Sequence, residues 1–182
     1  NEYLTGCPEE PNMDNRTVLA YNFNETSGTT AIDSSLNGLD GTIVNASINE
    51  TGIVDKCYLF NSGGATDEYV DVSDSDLLSF TDGTNDIPFS ISLWIKPENN
   101  FGAILNKYNT TDGYEYRMFM QSGILQFFIY SENTTTNRLG VADNVSLVLD
   151  AWNHVTITWD LTDLKMKVNN VDASFAQSET GT

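Results

Sequence analysis

Apolar and polar residues alternate with a period of two along much of the chain. Every second residue between Phe89 and Ile95 is apolar, and residues 155–159 repeat this pattern with threonines in the alternate positions. Successive side chains of a strand point to opposite sides, so the pattern indicates strands with one buried face. Helical periodicity is hard to find anywhere in the sequence.

Short strands separated by turn-forming residues account for most of the chain. One helical turn, capped by Ser or Asp, is predicted within residues 73–80. Eleven short strands that follow one another closely along the chain are typical of an antiparallel sandwich or barrel. The predicted strands are 18–23, 41–45, 56–60, 68–72, 89–95, 102–107, 114–120, 124–130, 145–149, 155–159 and 164–168.

The predicted hairpin of residues 114–130, broken at Ser122-Gly123, is unusually aromatic. Alternating aromatic residues on a strand usually belong to the core, and we predict that role here. The alternative is a platform on which sugar rings stack. The residues concerned are Tyr114, Tyr116, Phe119, Phe127, Phe128 and Tyr130.

Composition predicts one folded domain and excludes two classes of partner. The chain has 182 residues, of which 40% are hydrophobic and 11% aromatic, so it can build a sizeable core. Its net charge of −18 repels both nucleic acid and an anionic membrane surface. No apolar stretch approaches the roughly 18 residues that span a bilayer, so membrane insertion is not expected either.

The two cysteines are informative about the redox compartment in which the protein folds. Cys7 and Cys57 are too few for a zinc site, but they can form one disulfide in an oxidising compartment. That disulfide closes a loop of about 50 residues and contributes about 2–4 kcal/mol. The alternative is two unpaired thiols. Residue 1 is Asn, which we interpret as a processed chain that has lost a leader.

Seven Asn-x-Ser/Thr triplets also favour the secretory route. This number exceeds the roughly four expected by chance from the Asn, Ser and Thr content, and all seven lie in or beside predicted turns or strand ends. We therefore predict a secreted or surface-exposed glycoprotein. The candidate glycosylation sites are Asn15, Asn24, Asn45, Asn49, Asn109, Asn133 and Asn144.

Several segments, taken together and in order, resemble a known family. They are "LAYNFNETSGTTAIDSSLNGLDGTIVN", "GIVDKCYLFNSGG", "EYVDVSDSDLLSF", "PFSISLWIKPE", "GAILNKY", "YEYRMFMQSGILQFFIYS", "WNHVTITWD" and "LKMKVNNVDA". Over residues 17–174 the chain is similar to the laminin G-like jelly rolls of the concanavalin A-like lectin and glucanase superfamily. The resemblance implies an all-β fold of two stacked antiparallel sheets, a jelly-roll β-sandwich.

The resemblance also implies a function. Such domains are mostly non-catalytic, extracellular, and used to bind glycans or surface proteins, and many bind calcium at a rim loop. We therefore expect a recognition or adhesion module, glycosylated and stabilised by Ca²⁺, and not an enzyme.

The ends of the chain depart from the family pattern. Residues 1–16 are expected to form an extended arm, residues 17–174 the sandwich, and residues 175–182 a polar tail. Family members usually continue with two or three more strands. Three explanations are open. The sequence is a truncated piece, or the arm takes the place of the terminal strands, or another chain supplies them. The last case predicts an alternative function as a subunit of an extracellular filament, pilus or virion coat, assembled by strand exchange.

No arrangement of residues fits catalysis. The glucanases of the superfamily carry two Glu flanking an Asp at alternate strand positions. The nearest match offers Glu68, Asp71 and Asp74, and its spacing of three puts Asp71 on the strand face opposite Glu68. The lone His154, on a predicted strand, is interpreted as a packed or hydrogen-bonded residue.

The segment 33–41 is a candidate calcium loop. Asp33, Asn37 and Asp40 offer oxygen donors, and Gly38 and Gly41 let the backbone turn. The helix-loop-helix calcium pattern fails, because its twelfth position is Val44. Any site would be of the sandwich-rim kind and completed by another loop.

The completing loop is predicted to contain Asp160 or Asp163. The alternative is a turn without metal, in which Asp33, Ser34, Ser35 and Asn37 hydrogen-bond their own backbone. A second candidate is the pair Asp112 and Glu115, located where pentraxin relatives carry part of a calcium site.

Overall fold

The computed structural model describes residues 15–61, 66–81, 85–109, 113–130, 138–142 and 147–173. These residues form thirteen strands and one short 3₁₀ helix. The chain divides into two compact units, Asn1–Leu78 and Ser79–Thr182. The predicted range 17–174 spans both units, while residues 1–14 of the predicted arm and the tail 175–182 lie outside the described residues.

The first unit contains five short strands. They are β1 (Thr30–Ala31), β2 (Gly41–Val44), β3 (Ser47–Thr51), β4 (Lys56–Leu59) and β5 (Tyr69–Val72). An antiparallel sheet has the order β1-β2-β5, and β3 pairs with β4 as a hairpin. The predicted helical turn follows as a 3₁₀ helix, Asp76–Leu78, whose Leu77 N–H donates to Ser75 Oγ.

The second unit contains two four-stranded antiparallel sheets. Its strands are β6 (Phe89–Ile95), β7 (Phe101–Asn109), β8 (Gly113–Gln121), β9 (Ile124–Tyr130), β10 (Arg138–Ala142), β11 (Asn153–Trp159), β12 (Leu164–Val168) and β13 (Val171–Asp172). One sheet, here the β7–β10 sheet, has the order β10-β9-β8-β7. The other, here the β6 sheet, has the order β13-β12-β11-β6.

The core of the second unit lies between these sheets. Both contribute alternate residues, as the period-two pattern requires. The sandwich and its antiparallel pairing confirm the predicted all-β jelly-roll fold. The most deeply buried side chains include Met118, Leu125, Phe127, Val155, Ile157, Leu164, Met166 and Val168.

Two turns of the second unit connect strands through residues with positive φ. Ser122 and Gly123 have φ of 54° and 81°, and Asn169 and Asn170 have φ of 51° and 66°. Two consecutive left-handed residues match the twist of antiparallel strands, and Gly and Asn adopt that conformation at the lowest cost. The predicted break at Ser122-Gly123 is confirmed.

The aromatic hairpin of β8 and β9 contributes mainly to the core. Tyr116 and Phe127 belong to the core between the sheets, which confirms the core prediction for these two, whereas Phe128 and Tyr130 are buried on the opposite face of the strand. Phe119 stacks on Phe128 with ring centroids 5.9 Å apart, and the Arg117 guanidinium lies 4.2 Å from the Phe119 ring centroid. The side chain of Tyr114 lies outside the described residues.

The predicted strand 18–23 is wrong. Only Tyr21 forms a bridge, to Asp33, and Phe23 has a φ of 53°. Polar side chains occupy the backbone groups that a strand would use: the Ala20 N–H donates to Asp33, and the Val18 carbonyl accepts from Ser35 and Asn37. These hydrogen bonds take the place of a ladder.

The predicted strand 145–149 is also wrong within its described part. Leu147 is buried in the core, and a turn follows at residues 149–150. Both backbone groups of Val148 bond to the Asn153 side chain instead of a neighbouring strand. Strands β1, β3, β10 and β13 were not predicted, because they are short or polar and lack an apolar alternation.

Candidate functional site

The carboxylate of Asp33 lies at the centre of the turn between β1 and β2. The residue is 7% exposed. Its Oδ1 accepts from the N–H groups of Ala20 (3.0 Å) and Ser35 (2.9 Å). Its Oδ2 accepts from the Ser35 hydroxyl (2.7 Å) and the Leu39 N–H (2.9 Å). Four donors therefore surround the two oxygens, about the full acceptor capacity of a carboxylate.

These donors determine the ionisation of Asp33. Burial opposes the charged form, but the hydrogen bonds from Ser35, Ala20 and Leu39 outweigh it and hold the pKa of Asp33 below its ordinary value. The group is therefore a carboxylate at neutral pH, and it stabilises the turn in that form.

Asp40 and Tyr21 extend the same cluster. The Asp33 N–H donates to Asp40 Oδ1 (2.8 Å), and the Tyr21 hydroxyl donates to the Leu39 carbonyl. Burial, together with the negative charges of Asp33 and Asp40, raises the pKa of Tyr21 to about 12. The phenol therefore remains a donor over the whole physiological range.

Asn37 directs its amide nitrogen towards the preceding segment. Its Nδ2 donates to the carbonyls of Thr17 (3.2 Å) and Val18 (3.0 Å). These bonds attach the turn to residues 17–18.

The predicted calcium ligands of this turn do not fit a cation as they are placed. A cation at Asp33 would have to displace N–H and O–H donors from both carboxylate oxygens, whereas Ca²⁺ needs six to eight open oxygen ligands. Within the described residues, no group of three or more His, Cys, Asp or Glu side chains could hold a metal ion. The geometry instead matches the alternative of a turn that bonds to itself. A melting experiment, given below, distinguishes the calcium loop from the turn without metal.

The predicted partner loop has its own hydrogen bonds. Asp160 Oδ1 accepts from the N–H groups of Thr162 (3.0 Å) and Asp163 (2.8 Å) in the β11–β12 connection. These bonds lower the pKa of the exposed Asp160 carboxyl. Lys165 lies 3.7 Å from Asp160 and 3.3 Å from Asp163. Asp160 therefore stabilises its own turn.

Glu115, of the second calcium candidate, is placed in an ion pair. Its Oε2 lies 2.9 Å from Lys107 Nζ, and its Oε1 accepts from the Phe80 N–H at 2.8 Å. Phe80 stacks between Phe89 and Tyr116, with centroid distances of 3.6 and 4.3 Å. Glu115 thus holds the backbone of Phe80, whose ring packs against the core. Asp112 lies outside the described residues.

One polar contact in the first unit was missed in the sequence. The Tyr58 hydroxyl donates to Glu25 Oε2, and the Ile32 N–H donates to Glu25 Oε1 at 2.8 Å. Burial opposes ionisation of Glu25, but these hydrogen bonds outweigh it and lower its pKa. Burial, together with the bond to Glu25, raises the pKa of Tyr58. No local motif reveals this pair, because its members are 33 residues apart.

Four of the seven candidate glycosylation sites are described with their side chains, and all four are exposed: Asn15, Asn24, Asn45 and Asn49. Asn45 Nδ2 donates to the Asp67 carbonyl at 3.0 Å. The Asn109 side chain, Asn133 and Asn144 lie outside the described residues, as does Cys7. Cys57 is half-buried on β4. Glycosylation and the disulfide stay predictions.

The acids considered for catalysis are not paired across a cleft. Asp71 is exposed on β5, whereas Glu68 accepts hydrogen bonds from Asn61, including its N–H at 2.6 Å. His154 Nε2 lies 2.9 Å from Ser92 Oγ, and its ring centroid lies 4.8 Å from that of Trp94. The prediction that His154 is packed and hydrogen-bonded is confirmed.

Ser92 and His154 are also close enough for a nucleophile–base pair. Such a pair needs a third group that orients the imidazole, usually a carboxylate. Among the described residues no carboxylate bonds to the His154 ring, and the pair lies on an open sheet face. The contact therefore does not define a hydrolytic site.

The two packed antiparallel sheets define a jelly-roll domain of the lectin type. A model of the concanavalin A-like lectin/glucanases superfamily, of the laminin G kind, matches residues 63–181. Because this match covers more than half of the chain, the protein belongs to that superfamily, as the sequence resemblance implied. Searches of curated proteins and of solved structures gave no match. No helix in the described part of the chain is long and apolar enough to cross a membrane.

Proposed function

We propose that the protein is an extracellular, non-catalytic recognition module that binds glycan or protein. The observation that carries this proposal is membership of the superfamily, whose laminin G-like domains are typically non-catalytic and extracellular. The hydrogen bond that occupies Glu68 and the strand spacing that separates it from Asp71 are in keeping with it.

Secretion and glycosylation are part of the same proposal. The four described candidate sites are exposed, so a glycan could be attached there without disturbing the core. The predicted disulfide between Cys7 and Cys57 belongs to the same compartment. An intact-mass measurement of native protein checks both, because each glycan adds mass and a disulfide removes two hydrogens.

Ligand binding is tested with an array of glycans and a panel of extracellular matrix proteins. We expect saturable binding to at least one member, confirmed by calorimetry. Denatured protein is the control for nonspecific adhesion. If native protein binds nothing on either panel at millimolar ligand, the recognition proposal fails.

Calcium stabilisation is tested by melting with calcium and with a chelator. The saturated hydrogen bonding of Asp33 leads us to expect that the melting temperature changes little between the two conditions. A calcium-dependent rise that the variants Asp33→Ala and Asp40→Ala abolish would instead establish the calcium site.

A second candidate function is assembly by strand exchange into a surface filament, pilus or virion coat. It is favoured by one observation: β7, nine residues long, is paired on only one side within its described sheet. An edge strand is a template for a strand from another chain. Light scattering during size-exclusion chromatography tests this, and a monomer at high concentration would exclude it.

A further inference from the structure

The β6 sheet has a polar outer face that contains one large aromatic ring. On β6 and β11 the residues Leu93 and Val155 point into the core, so their neighbours point outward. Trp94 pairs with His154 in the register, and Ser92 pairs with Thr156. Thr156 also pairs with Lys167 of β12. We call Ser92, Trp94, His154, Thr156 and Lys167 the Trp94 face.

Trp94 is both accessible and held in place. Its side chain is 49% exposed, although a Trp on a strand usually buries more of its surface. The His154 ring packs against it at an interplanar angle of 34°. His154 is positioned by Ser92 Oγ and by its backbone N–H, which donates to Asn169 Oδ1 at 2.9 Å. The indole is thus a preorganised surface, and ordering it on binding costs little.

Hydrogen-bonding groups surround the indole on the same face. The Ser92–Thr156 pair lies two register pairs from the Trp94–His154 pair, which makes it the next pair on the same face. A flat apolar ring beside hydroxyl and imidazole groups is complementary to a sugar ring, which presents C–H groups on one face and hydroxyls around its edge.

Two lysines near this face are paired with acids, and the chain as a whole has a net charge of −18. Lys167 forms an ion pair with Asp172 at 2.7 Å. Lys165, on the same strand, lies within 4 Å of Asp160 and Asp163. Paired lysines give an anionic ligand little attraction, and the negative charge of the chain as a whole outweighs that of the exposed Lys96 beside the face. Charge therefore favours a neutral ligand.

We infer that the Trp94 face binds a neutral pyranose by stacking it on the indole and hydrogen-bonding its hydroxyls to Ser92, His154 and Thr156. This inference rests on the proposed recognition function and gives it a location and a ligand class. The sugar is a unit of a neutral glycan, since one accessible aromatic ring accommodates one pyranose at a time.

The test follows the indole N–H signals of the three tryptophans by ¹H–¹⁵N NMR. Trp94→Phe assigns the Trp94 signal. Cellotetraose, mannotetraose and a galactose tetrasaccharide are the neutral probes, and a heparin tetrasaccharide is the anionic probe. We expect at least one neutral probe to shift the Trp94 signal saturably at millimolar concentration, and heparin to leave it unchanged.

Variants then locate the site. Trp94→Ala raises the Kd of the shifting probe about tenfold, the effect of losing one stacking contact. Ser92→Ala and Thr156→Val keep the indole and weaken binding through the lost hydroxyls. The control is Phe101→Ala, which removes a 68% exposed aromatic from the β7–β10 sheet and leaves the Kd unchanged. Circular dichroism establishes that each variant is folded.

Three outcomes overturn the inference and leave the recognition function standing. They are binding of a neutral glycan that Trp94→Ala does not weaken, a Trp94 signal that only heparin shifts, and protein ligands on the binding panel with no saccharide effect on Trp94. Failure of native protein to bind any glycan or protein overturns both proposals.

Discussion

Replacing Asp33 with Ala is expected to destabilise the first unit by about 3 kcal/mol. The substitution removes the acceptor of three backbone N–H groups and one hydroxyl at a site only 7% exposed. A buried donor left without an acceptor costs about 1–3 kcal/mol, and part of this is recovered when water enters the turn. The effect therefore exceeds that of an ordinary surface substitution several-fold.

Hydrogen exchange followed by mass spectrometry measures this effect locally. Peptides covering residues 17–44 should exchange roughly 100-fold faster, the equivalent of about 3 kcal/mol. The control is Asp71→Ala, which removes an exposed acid from β5 of the same unit. Equal exchange in the two variants would contradict the role assigned to Asp33.

The same carboxylate predicts a pH dependence. Its pKa in the folded chain is lowered, so its stabilisation is fully present above the unfolded-state pKa of about 3.9. That contribution is lost as the pH falls through the folded-state pKa. Native protein should therefore lose protection of residues 17–44 in acid more steeply than Asp33→Asn. If the protection of residues 17–44 falls equally with pH in native protein and in Asp33→Asn, the predicted pH dependence is contradicted.

Replacing Asn153 with Ala is expected to destabilise the second unit by about 3 kcal/mol. Its side chain is fully buried and bonds to both backbone groups of Val148, to the Ala151 carbonyl and to the Asn169 amide. Removal leaves buried backbone groups unpaired and a cavity at the edge of the core.

Urea unfolding followed by tryptophan fluorescence measures this loss, because Trp152 precedes Asn153 and Trp159 ends the same strand, β11. Asn153→Leu fills the volume without restoring the hydrogen bonds, so it should recover only part of the stability. The control is Asn106→Ala on an exposed position of β7. Full recovery by Leu would show that volume, not hydrogen bonding, dominates.

Asp33 and Asn153 also explain where prediction from sequence failed. They are the two buried polar side chains of the described residues, and each bonds to the backbone of a segment predicted as a strand. Residues 18–23 and 147–148 have suitable apolar residues, but side chains occupy the Val18 carbonyl, the Ala20 N–H and both backbone groups of Val148. Periodicity reports which face is buried, and it contains no information about such competition.

The candidate functional sites were less predictable than the fold. The sequence identified the acids of segment 33–41 as candidate ligands, but only their geometry shows that the Asp33 oxygens are already saturated by protein donors. The Trp94–His154 pair was not foreseen, because the two residues are 60 positions apart. Only the pairing of β6 with β11 brings them together.

The sequence by itself determined the fold class and the interior of the second unit, because strand periodicity and hydrophobic burial are local properties of the chain. It also determined the acidic surface and the positions of the Ser122-Gly123 and helical turns. Only the tertiary structure decided which polar groups are satisfied by one another, and which side chains share an exposed face. Those are long-range contacts, and strand register, not residue type, selects their partners.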